Sequence, residues 1–201
     1  MKNIDTILQE IHEDKHENLA TTSKKFKRDI WEFFHEIPNF EEMSCVEYGT
    51  HKGQTTRVLS YLFDHVYTIN LPGNFDKAKE LNADRSNITF VPMDLYKTPI
   101  TSNFKHVPVN VHFIDAGHDF NHVVSDFTRC LEFDRNPDHP IYFIFDDYGH
   151  MIRSVGDAVN QLISIGSIEI VKRIGHPAGH SFGGNPERIL VDSEGVICVL
   201  K

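Results

Sequence analysis

The sequence predicts a doubly wound α/β domain, and three observations carry that reading. From about residue 41 onward, short β-branched apolar runs alternate with helix-period stretches, the pattern of right-handed crossovers over a mostly parallel sheet. Acidic and polar residues stand directly after those runs, where such a sheet binds its ligands. The last two runs have no helix between them, so at least one of their strands is predicted to pair antiparallel at an edge.

Residues 1–40 read as a helical extension ahead of a domain over 41–201. Ile4, Ile7, Leu8 and Ile11 form one apolar stripe. Phe26, Ile30, Trp31, Phe33 and Phe34 form a second, and the polar segment "HEDKHENLATTSKK" between them is read as a joint. Pro38 closes the extension. The aromatic stripe leaves two roles open, covering a substrate or forming a homo-oligomer contact.

The domain then reads as strand 45–48, helix 55–63, strand 66–69 stopped by Pro72-Gly73, short helix 75–81 and strand 88–91. Strand "VNVHFID" (109–115), helix "NHVVSDFTRCLEF", strand "IYFIFDD" (141–147), helix "SVGDAVNQLISI" and strand "IEIVKRIG" follow. "IYFIFDD" is the most apolar strand and is expected at the centre of the sheet. "GHPAGHSFGGNPE", with His176 and His180, is read as a loop that either covers the site or only joins strands, and "RILVDSEGVICVL" as strand, turn, strand.

A chain of 201 residues suffices for one well-buried domain, and 40% apolar with 24% charged residues is an ordinary globular balance. A formal charge of −9 disfavours a nucleic-acid partner. Cys45, Cys130 and Cys198 are odd in number and widely spaced, so buried thiols in a reducing compartment are expected. The charged N-terminus has no signal-peptide core and no run reaches membrane-span length. A soluble cytoplasmic protein with no membrane partner is the expectation.

The strand ends carry the chemistry. Glu47, Gly49, Thr50, His51 and Gly53 follow the first strand and Asn70 ends the second. Asp94 follows the third, Asp115 and His118 the fourth, and Asp146, Asp147 and His150 the fifth. Acids gathered on one rim are a site hypothesis, because unpaired buried carboxylates are costly. Gly49 and Gly53 would let the backbone pass close to a ligand before entering a helix, although a plain tight turn would use the same pair. Asp146-Asp147 would equally begin a turn, and Asp115 would equally cap the next helix.

"VEYGTHKGQTT", "VYTINLP", "ITFVPMDLY", "VHFIDAGHDFNHVVSDF" and "IYFIFDDYGH", in that order, resemble class I S-adenosylmethionine-dependent methyltransferases. They are most similar to the small-molecule O-methyltransferases of the catechol and macrocin/sugar types. The resemblance implies a Rossmann-like seven-stranded sheet with an antiparallel C-terminal hairpin and S-adenosylmethionine as cofactor. It implies that Glu47, Gly49 and Gly53 line the methionine part, Asn70 meets the ribose and Asp94 lies near the adenine, with Thr50 and Asp115 also binding the cofactor. It also implies Mg²⁺ or another divalent cation on Asp115, Asp146 and Asp147, a hard-oxygen set.

Two positions depart from the pattern. Asn70 stands where the family has an acid on the ribose hydroxyls, and an amide makes a weaker, uncharged bond. Gly117 stands where some sugar-type relatives carry an acid suited to a general base, which leaves His118 or His150 as the candidate catalytic base. His118 and His122 in "HDFNH" have zinc-pair spacing but lack the glutamate of H-E-x-x-H. The expected function is methyl transfer to a hydroxyl of a small sugar, diol or catechol-like substrate. The alternatives are an inactive nucleoside-binding or interaction protein on the same fold, or a metal-dependent hydrolase or sugar-modifying enzyme.

Overall fold

The structure is a computed structural model in which residues 2–11, 22–99, 104, 106–150, 153–180 and 191–201 are described. Helices α1 (Ile4–Ile11) and α2 (Lys24–His35) precede strand β1 (Ser44–Tyr48) and helix α3 (Gln54–Leu62). Strand β2 (His65–Asn70), helix α4 (Asp76–Leu81), β3 (Ile88–Pro92) and β4 (Val111–Ile114) follow. Then come helix α5 (Phe120–Cys130), strand β5 (Tyr142–Phe145), helix α6 (Ser154–Ser164), and strands β6 (Ile168–Pro177) and β7 (Ser193–Leu200). Of the proposed joint "HEDKHENLATTSKK", residues 12–21 lie outside the described residues, and its end is ordered, with Ser23 capping α2 and Lys24 and Lys25 in the first turn of that helix.

The strands form a seven-stranded sheet in the order β3-β2-β1-β4-β5-β7-β6. β1 to β5 run parallel, β7 is antiparallel to β5, and β6 is antiparallel to β7. This is the predicted doubly wound sheet with its C-terminal hairpin. The strand order reverses between β1 and β4, which opens a crevice at their carboxyl ends. β4 holds the middle position, and β5, expected there, lies beside it. β5 is apolar throughout because both its faces and both its edges are covered, as all four of its residues are buried.

Alternation along each strand divides the core into two layers. Val46, Tyr48, Phe143 and Phe145 face α5 and α6, through Val123, Phe127, Val155 and Val159. Cys45, Val111, Phe113 and Ile144 face α1, α2 and α3. The aromatic stripe of α2 belongs to this second layer: Phe26 meets Phe113 edge-on, Phe34 meets Phe63, and Phe33 meets Tyr142. Those rings pack on the sheet. All three cysteines are buried and free. Among the described residues no helix is long and apolar enough to cross a membrane.

One expectation is corrected at the C-terminus. "DSEG" was expected to turn, yet Ser193, Glu194 and Gly195 belong to β7. The buried Glu194 carboxylate accepts from the Ser23 backbone N–H and hydroxyl, and a Cβ on Gly195 would meet Phe26 at 2.3 Å. Tertiary contacts with α2 therefore override the local turn preference. Residues 188–190 of the preceding apolar run, and 181–187 of the Gly-His-Pro loop, lie outside the described residues.

Candidate cofactor site

The register brings the strand ends level, with Tyr48 opposite both Ile69 and Ile114. Gly49 then donates its N–H to Ile69 O, and Asp115 donates to Tyr48 O. Gly49 has φ +98°, and a Cβ there would lie 2.2 Å from the Asp115 carbonyl oxygen. Its glycine is required first by the close approach of the β1 and β4 ends. Gly53, at φ +75°, starts α3, and its Cβ would fall within 2.9 Å of Ala78 and Asn82. Gly53 thus serves helix packing against α4 and shapes the turn, but it lines neither cavity described below.

Glu47 sits on the α2/α3 face of β1, by alternation with Cys45. Its Oε2 accepts hydroxyl hydrogen bonds from Thr56 and Thr68, each at 2.5 Å. Thr68 in turn contacts Thr50 at 2.6 Å. Burial pushes the Glu47 carboxyl up to about 8, against the pull of the two threonines.

Two cavities flank this turn. The larger, about 930 Å³, opens over the ends of β2, β3 and β4 and includes Asn70, Met93, Asp94, Tyr96 and Gly117 in its wall. The smaller, about 230 Å³, is polar and lies between the first-strand turn and the start of α2, with Thr22, Glu47, Thr50, Gln54 and His118 in its wall. Gly49, His51, Lys52, Asp115 and Ala116 line both, so the cavities adjoin across the switch point. Gln54 adds a buried Oε1 with no protein partner to the smaller one.

In the larger cavity Asn70 Oδ1 accepts from Leu71 N–H at 2.9 Å, so the amide braces its own turn. Asp94 accepts from Tyr96 N–H, which with Lys97 holds its carboxyl below the usual range. Tyr96 stacks on His122, with centroids 3.9 Å apart, and its hydroxyl lies 3.3 Å from buried Asp126. A Cβ on Gly117 would lie 2.4 Å from the Tyr96 hydroxyl and 2.6 Å from His122 Cβ. The stack fills the space a side chain at 117 would need, which explains the glycine.

Asp119, not Asp115, caps α5, accepting from His122 N–H at 3.1 Å. His118 precedes that helix, so the two histidines of "HDFNH" share no helical face. The His118 ring lies between two acids, with Nε2 3.4 Å from Asp115 Oδ1 and Nδ1 3.3 Å from Asp147 Oδ2. Asp147 takes φ +55°, in the left-handed region. Asp146 is buried with Oδ1 unpartnered, and burial followed by the charges of Asp115, Asp147 and Glu194 holds its carboxyl well above the usual range. His150 closes the turn by donating its backbone N–H to Asp147 O and lines neither cavity.

These three aspartates do not fit a divalent ion as placed. Among the described residues no group of three His, Cys, Asp or Glu side chains could hold a metal. Imidazole fills the gap between Asp115 and Asp147, and Asp146 turns inward. The expected Mg²⁺ site is therefore unsupported.

Sequence reasoning missed Lys27, Glu194, Thr56, Thr68 and Tyr96. Lys27 was legible: it stands four residues before Trp31 and seven before Phe34, on the buried face of α2. Glu194 was hidden because its strand is antiparallel, so its first residues, not its last, reach the rim.

No family model matches the chain, and no curated protein matches it. Solved structures do. An O-methyltransferase of Bacillus cereus in complex with S-adenosylhomocysteine aligns with TM-score 0.62 and 15% identity, over 100% of this chain and 92% of that one. A protein assigned as a caffeoyl-CoA O-methyltransferase from Staphylococcus aureus gives TM-score 0.64 and 14% identity, over 100% and 93%. The tRNA (m1A58) methyltransferase of Aquifex aeolicus gives 0.61 and 14%, over 97% and 75%. The chain spans only 24% of a phosphoethanolamine N-methyltransferase of Haemonchus contortus, at TM-score 0.46.

Proposed function

We propose that this chain, which has the fold of class I S-adenosylmethionine-dependent methyltransferases, binds S-adenosylmethionine and methylates a hydroxyl of a small molecule of the sugar, diol or catechol-like kind. The observation that carries this is the pair of adjoining cavities. A large crevice over β2–β4 suits a nucleoside in size. A small polar one beside Glu47 suits an amino-acid tail. A ligand holding both parts would cross Gly49. The net charge of −9 favours a small acceptor over a nucleic acid.

When bound, the cofactor supplies an electrophilic sulfonium methyl group. The residues of this chain do the rest. Glu47, Thr50 and Gln54 would bind the tail, and Asn70 and Asp94 the nucleoside. Asp115 and Asp147 orient the His118 ring at the mouth of the small cavity. His118 would accept the proton of the attacking hydroxyl and become an imidazolium between those two carboxylates, while the bound cofactor would supply the methyl group and keep the sulfur as its leaving group. No step runs through a metal.

Calorimetry with S-adenosylmethionine and S-adenosylhomocysteine, with and without Mg²⁺, followed by methyl transfer to a hydroxyl panel, tests this reading. Binding of either nucleoside, with methylated product independent of Mg²⁺, is expected. If neither nucleoside binds, the reading fails.

A further inference from the structure

Lys27 is the buried charge that the mechanism above leaves unused. It projects from α2 and is 0% exposed. Lysine is seldom buried so fully unless it is paired. Its ammonium donates to the Thr22 carbonyl oxygen. Thr22 lines the small cavity and meets Thr55 there, Oγ1 to Oγ1, at 3.0 Å. The next residue, Ser23, gives its backbone N–H and its hydroxyl to Glu194 at 2.7 and 2.6 Å. The start of α2 is thus fastened to the rim of the sheet at successive positions, with Lys27 behind it.

The same lysine faces the acids. Burial raises the carboxyls of Glu47, Asp115 and Glu194, and the charge of Lys27 opposes that rise in each. These groups come from the ends of β1 and β4 and the start of β7, and α2 reaches this rim through Ser23, which bonds Glu194, and Thr22, which shares the small cavity with Glu47 and Asp115. Several carboxylates in one low-dielectric region repel one another unless a cation stands among them.

We propose that Lys27 is a positioning residue of this site, which ties Thr22 into the wall of the small cavity and supplies the cation that balances Asp115, Glu194 and, once it ionises, Glu47. This rests on the functional reading above for its ligand, the amino-acid tail of the nucleoside, though not for the charge balance itself. Lys27 touches no reacting atom. It keeps the wall in place and the acids available to the tail's ammonium group.

The test compares wild type, Lys27→Met, Glu47→Gln and the double variant, using S-adenosylhomocysteine as probe in calorimetry and urea unfolding as a second readout. Measurements at pH 9 lie above the value of about 8 at which Glu47 ionises. Lys27→Met should weaken binding by at least ~10-fold, and the loss should be at least ~3-fold smaller in the Glu47→Gln background, as coupled charges require. Equal losses in the two backgrounds, or wild-type binding by Lys27→Met, overturn the proposal. If Lys27→Met does not fold, Lys27→Arg decides: binding within ~5-fold of wild type supports the charge role, and its loss refutes it. Should wild type bind no S-adenosylhomocysteine, the functional reading fails, and the unfolding midpoints of the same four proteins still decide the charge balance.

Discussion

Replacing Glu47 by glutamine should flatten the dependence of stability on pH. The folded carboxyl ionises at about 8, against a reference of 4.5, chiefly because it is buried. Folding therefore takes up a proton on Glu47 between those values, and stability falls as pH rises through that window. One proton of difference corresponds to about 1.4 kcal/mol per pH unit. Between pH 5.5 and 7.5 wild type should thus lose about 2.5 kcal/mol that the variant keeps. Glutamine suits the site, because both threonine hydroxyls donate to the single atom Oε2, which the amide oxygen can replace. Asp115, Asp126, Asp146 and Glu194 are also raised and slope the same way, so the difference between the two proteins is the informative quantity. Urea unfolding of both at the two pH values measures it. Parallel stability curves would refute the claim that Glu47 is protonated in the folded protein at neutral pH.

The other expectations concern single positions. Gly49→Ala should cost roughly 2–5 kcal/mol, from a strained positive φ and a clash with Asp115 O, and an unchanged urea midpoint would count against the close approach of β1 and β4. Gly117→Ala should cost about 1–3 kcal/mol through the Tyr96–His122 stack, read by thermal melting. Asn70→Asp should tighten S-adenosylhomocysteine binding by roughly 5-fold, since a charged acceptor replaces a neutral one; calorimetry showing equal or weaker binding in a folded variant removes Asn70 from the ribose contact. His118→Ala should lower methyl transfer by about 10²–10⁴-fold while changing nucleoside affinity less than ~3-fold, and a rate that survives the change moves the base elsewhere.

Periodicity along the chain determined most of the architecture. Runs such as "IYFIF" and stripes such as Val123, Val124 and Phe127 leave few ways to bury themselves, so the mostly parallel sheet and the rim of polar residues follow from local pattern and crossover handedness. The strand-end positions of Glu47, Asn70, Asp94, Asp115 and Asp146 were readable for that reason. What those residues do there was decided only by tertiary contact. The glycines at 49 and 53 read as ligand space, but the partners that demand them are Asp115, Ala78 and Asn82, brought close by folding. The aspartates read as a metal set, but His118 stands between Asp115 and Asp147, and among the described residues no such group is placed to hold an ion. Lys27 and Glu194 lie far apart in sequence, on a helix and an antiparallel strand. Only the docking of α2 on the sheet brings them to one rim, because electrostatic partnership depends on distance in space and not on spacing along the chain.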